Sequence, residues 1–316
     1  MLYASTRDER DAFTAARTLA GDFAADGGLF VPFRLPRYSW QEIADLSNQS
    51  FGQIIAQLLN MFFSVKLTGW DVDFSIGRAP VKLIWMNHRL IVAELWHNPG
   101  TSYQYLVDRL YERIRIIGAK NTATDWAKVA VRISVLFGVI SLLIKEEYAG
   151  PGKPVDIAVS ADDFSLPTAA WYARKMGLPI GMITCGCNIN SGLWDLLRRG
   201  EYTSVGVPVE IRAGHERLIH ETLGTAEARR YGQRCELGKV FSVSEEALPK
   251  LNNGFFAAVV GEGRVASLIS SVHKSGGYRL SREDALAYGA LQDYRAGIAE
   301  GRSSLMLADN KPDQLK

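Results

Sequence analysis

Several residues in this chain have side chains suited to proton chemistry. His97 and the adjacent carboxylates Asp162 and Asp163 are an acid/base-capable set. An imidazole and an aspartate of raised pKa can exchange protons with a small substrate unaided by a cofactor. Cys185-Gly186-Cys187 offers two soft ligands, but a structural zinc needs four and no histidine pair lies near in sequence. A buried structural role for these thiols is the simpler reading. Gly261-Glu262-Gly263-Arg264-Val265-Ala266 follows the apolar run 255–260 and opens a helical pattern, which is the setting of a dinucleotide site. Such a site also wants an acidic residue at a strand end about 20 residues on. Glu283 and Asp284 fall there, but behind Ser281, in what reads as a helix's first turn.

The elements that must position these groups follow from periodicity. Residues 8–19 carry helical spacing, and Asp26-Gly27-Gly28 is a turn before the short strand Leu29-Phe30-Val31, stopped by Pro32. Helices are predicted over 40–46 and 51–63. The second sets Ile54, Ile55, Leu58, Leu59, Phe62 and Phe63 on one wide stripe. Residues 81–85 and 90–95 read as a strand pair, 105–117 as a helix, and 126–148 as a long helix apolar nearly all round. The uncharged run 133–144 is too short to span a bilayer and reads as buried. Strand 155–159, helix 166–176 and strand 180–184 follow closely, which predicts a right-handed parallel unit and an α/β sheet. Residues 310–316 are a polar tail.

Composition narrows the class. The 316 residues are 47% hydrophobic and 22% charged with net charge +2, so no basic stripe argues for nucleic acid. Three cysteines and no apolar leader fit a reducing, cytoplasmic protein that is neither secreted nor membrane-bound.

A set of stretches, in order, resembles threonine synthase, a fold-type-II lyase that uses pyridoxal phosphate. They are Tyr3-Ala4-Ser5-Thr6-Arg7 with Ala25-Asp26-Gly27-Gly28-Leu29-Phe30-Val31-Pro32, Glu94-Leu95-Trp96-His97-Asn98-Pro99, and Thr124-Asp125-Trp126-Ala127-Lys128. Further on come residues 170–180, Asn188-Ile189-Asn190 and Gly200-Glu201-Tyr202. Glu216-Arg217-Leu218 and Gly277-Tyr278 continue the likeness weakly. The resemblance implies a fold-type-II core of mostly parallel sheet with flanking helices. It places His97, Tyr103, Gln104, Tyr105, Asp162 and Asp163 in the old catalytic cleft, and Lys128, Asn188 and Asn190 among its substrate-binding positions.

The departures bear on function. The family's imine-forming lysine matches the stretch Tyr103-Gln104-Tyr105, and a glutamine amide forms no imine. The family's glycine-rich phosphate loop matches Asp162-Asp163-Phe164-Ser165. A carboxylate 4 Å from a phosphate charge costs roughly 4 kcal/mol at an effective dielectric of about 20, although carboxylates suit a helix N-terminus as caps. The family's smaller cofactor-side segment has no counterpart between Lys120 and Trp126, and no threonine follows Thr225 to bond the pyridine nitrogen. The resemblance therefore implies a protein of two parts, 1–95 and 96–316, with an internal deletion near 120–126 and without pyridoxal phosphate. Its readings are a pseudoenzyme, a repurposed cofactor-free enzyme, and a residual lyase. The deletion should bare a face for a second copy, a partner protein or a small ligand.

Overall fold

The computed structural model describes residues 1–76, 81–95, 109–114, 125–162, 164–204, 209–298 and 301–308, with backbone alone for 209–211. The chain opens on a small antiparallel sheet. β1 (Leu2–Ser5) lies between β2 (Phe13–Thr14) and β3 (Phe30–Pro32). The helix expected over 8–19 is confined to α1 (Ala15–Ala20). The reason is local. The Asp8 carboxylate accepts the Arg10 backbone N–H in a turn, and Phe13 and Thr14 pair with Tyr3 and Leu2. Pro32 does not stop β3 but closes it, opposite Tyr3.

Two capping boxes start the next helices. Ser39 with Glu42 starts α2 (Trp40–Ser47), and Ser50 with Gln53 starts α3 (Phe51–Phe63). The six stripe residues of α3 are all buried. α4 (Gly69–Ile76) follows. The strand pair is then β4 (Lys82–Asn87) and β5 (Leu90–Glu94), antiparallel as expected. Residues 109–114 are helical.

α5 (Asp125–Lys145) has 21 residues, close to the helix expected over 126–148. By length and composition it could cross a membrane, yet most of it is buried inside the fold. It packs on α2 and α3, and on α6 (Ser165–Lys175), which joins β6 (Val155–Ser160) to β7 (Ile180–Cys187). β6 and β7 are parallel neighbours. Trp126 sits at the centre, with the rings of Tyr3, Phe62 and Tyr172 edge-on to it. The Tyr3 hydroxyl donates to the Phe62 carbonyl at 2.6 Å, tying the first strand to this core.

The rest of the chain supplies α7 (Leu193–Arg199), β8 (Glu201–Tyr202), α8 (Val209–Leu223) and α9 (Thr225–Glu236). Then come β9 (Phe241–Ser242), α10 (Leu248–Leu251), β10 (Phe255–Val259), α11 (Glu262–Gly276), α12 (Arg282–Ala296) and β11 (Ser304–Ala308). The main sheet runs β10-β7-β6-β11-β5-β4, parallel except for β4 at one edge. Among the described residues β8 pairs with β9 alone. Helices cover both faces, as a parallel sheet demands. On the second face, Leu268, Leu286 and Leu291 of α11 and α12 pack over Leu90, Val92 and Met306. α12 comes so near that a Cβ on Gly186 would lie 2.1 Å from the Leu286 carbonyl oxygen. The α/β fold with a mostly parallel sheet and flanking helices is thus as the sequence implied.

Candidate functional site

Ligands of open parallel sheets lie beyond the carboxyl ends of the strands. Here those ends are Glu94, Ser160, Cys187, Val259 and Ala308. After β6 the chain turns at Asp162, whose backbone N–H donates to the Ser160 hydroxyl at 3.2 Å. One oxygen of the Asp162 carboxylate accepts the Asn188 side-chain N–H from the end of β7. The other accepts from Arg282 Nη1 at 3.0 Å. Arg282 also pairs with Glu262, so two carboxylates hold one guanidinium.

This arrangement corrects the capping reading of Asp162. Its carboxylate turns to Arg282 and Asn188 across the sheet end, and the capping position of α6 is Phe164, which makes no side-chain cap. The Phe164 ring stands 4.5 Å from the imidazole of His215 on α8. His215 is wholly enclosed, and burial pushes its pKa down to about 3, which keeps it neutral.

Of the other expected site residues, Asn188 accepts the Asn190 backbone N–H at 2.7 Å, while Asn190 itself is exposed. Asn188 also lines a cleft of about 530 Å³ beside β10, with Trp194, Arg198 and Asp293. Lys128 stands in the first turn of α5, where its charge acts on the half-buried Asp22. The structure joins Asp162 to Asn188 directly and gives Lys128 no bond to either. His97, Tyr103, Gln104, Tyr105 and Asp163 lie outside the described residues, as does the tail 310–316.

Three further residues near the strand ends were not assigned to the site from sequence, although Glu94 and Asp284 lie in stretches already singled out. Arg282 was the most visible in principle: a cation at the first position of a helix opposes the macrodipole and needs an anion from elsewhere. Glu94 and Asp284 are the others. Asp284 is fully buried as the third residue of α12 and completes a capping box with Ser281. Burial pushes its pKa up to about 7 against those bonds, and the charges of Glu283 and Glu94 push the same way. Burial likewise raises the Glu94 carboxyl, opposed by Lys82 across the strand pair and by Tyr278.

The competing motifs resolve as well. Gly261 and Gly263 do join β10 to α11, but a Cβ added to either meets nothing within 4 Å. Close packing therefore requires neither glycine. Glu283 and Asp284 occupy the first turn of α12, not a strand end. Cys185 and Cys187 are buried on β7, and burial pushes the Cys187 thiol up to about 12. Among the described residues no three His, Cys, Asp or Glu side chains gather where a metal would bind.

The fold is one shared with solved threonine synthases. Residues 2–79 match the family model "Threonine synthase N terminus". The solved pyridoxal-phosphate-bound threonine synthase from Brucella melitensis superposes with TM-score 0.80 at 20% identity, over 99% of this chain and 89% of that one. Threonine synthase of Pseudomonas aeruginosa is 20% identical over 405 aligned positions, spanning 95% of this chain and 86% of the relative. Threonine synthase-like 1 of Homo sapiens is 25% identical over 180 residues, 52% of this chain. The matched part is about a quarter of that relative's length, 24%. The chain thus matches the threonine synthase N-terminal model over residues 2–79 and shares the fold of threonine synthases along nearly all of its length.

Proposed function

We propose that this chain is a threonine-synthase-like protein without pyridoxal-phosphate catalysis, a cytoplasmic pseudoenzyme that binds a metabolite or a partner chain. One observation carries the reading: the Asp162 carboxylate, bonded by Arg282 and Asn188, stands where the resemblance puts the cofactor's phosphate loop. Among the described residues, the Arg282 and Asn188 donors there are already engaged by the chain's own anion. A phosphate dianion brought alongside meets a carboxylate at short range. The residues present do not fit the cofactor, and no chemical step is derived through it. Gln104, at the position matched to the imine lysine, supports the same reading, since its amide is not a nucleophile. The reading also divides the chain into 1–95 and 96–316 and places an internal deletion near 120–126.

The test is reconstitution of the full chain with pyridoxal phosphate, then borohydride reduction and peptide mass spectrometry. The expected outcome is no visible absorbance band and no stoichiometric adduct at any lysine. One lysine labelled to completion would overturn the proposal. As a converse, Asp162→Gly together with Gln104→Lys should increase cofactor retention over the unaltered chain in equilibrium dialysis.

A further inference from the structure

We draw no further inference here: the strongest candidate, the surface patch on α4 where the rings of Trp70 and Phe74 stack at 5.2 Å with both residues 65% exposed, carries nothing because nothing in the structure shows what covers it.

Discussion

Two ion clusters in this molecule use the same chemistry, one guanidinium between two carboxylates, and they differ in burial. Arg7 bonds Glu216 and Glu236, as Arg282 bonds Asp162 and Glu262. Arg7 and Glu216 have side chains only 10% and 7% exposed, whereas Arg282 and Asp162 are 41% and 25% exposed. Glycines shape the first cluster. A Cβ on Gly232 would lie 2.2 Å from Arg7 Nη2, and one on Gly27 would lie 3.0 Å from Arg7 Nη1. Gly27 also has φ +76°, a left-handed conformation that glycine adopts without strain. Among the described residues no glycine cradles Arg282 in this way. A pair sealed in this way fixes where the chain's beginning docks against α8 and α9, more than 200 residues away. A pair open to water merely fills a site.

The comparison breaks or holds on four measurements. Glu216→Ala leaves Arg7 without its main partner in a closed place and should cost about 3–5 kcal/mol in denaturant unfolding. A cost near zero would mean that the cluster is not structural. Asp284 should next show itself in pH dependence. Its raised pKa means that the folded protein holds a proton which the unfolded chain releases. Stability therefore falls as pH rises from the ordinary aspartate range toward about 7, then levels off. The total is on the order of 4 kcal/mol. Asp284→Asn should flatten that slope, as read from unfolding midpoints across the range. Gly27→Ala should cost about 1–2 kcal/mol, through left-handed strain and the crowding of Arg7. Asp162→Asn should change stability by less than about 1 kcal/mol, and the effect should shrink further in high salt. A loss as large as that of Glu216→Ala would erase the distinction between the two clusters.

Much of this was legible in the residues. The stripe of α3, the Ser281 cap of α12 and the elements of the β6–α6–β7 unit each rest on signals local in the sequence. Asp162 and Asn188 came together because the resemblance placed both in one cleft. Arg282 did not, since it lies 120 residues from Asp162 and only the sheet brings them together. The reach of α1 was overestimated because helical spacing over residues 8–19 says nothing of β1, which claims Phe13 and Thr14. β11 was not foreseen: Ser304-Leu305-Met306-Leu307-Ala308 is a short apolar run like many others, and its place depends on partners far away in sequence.

That place has a consequence for how the molecule comes into being. β11 lies between β5 and β6, bonded to both. Until Ser304–Ala308 leaves the ribosome, the sheet exists as two halves, each with an unpaired inner edge, and α12 has only part of its floor. The pairing that unites them joins residues 304–308 to residues 90–94, a closure over more than 200 positions. Long-range closure of this kind is slow, and open edges are sticky while it waits. The nascent chain therefore passes through an interval in which β5 and β6 each lack one partner, and its yield in a cell depends on what shields those edges.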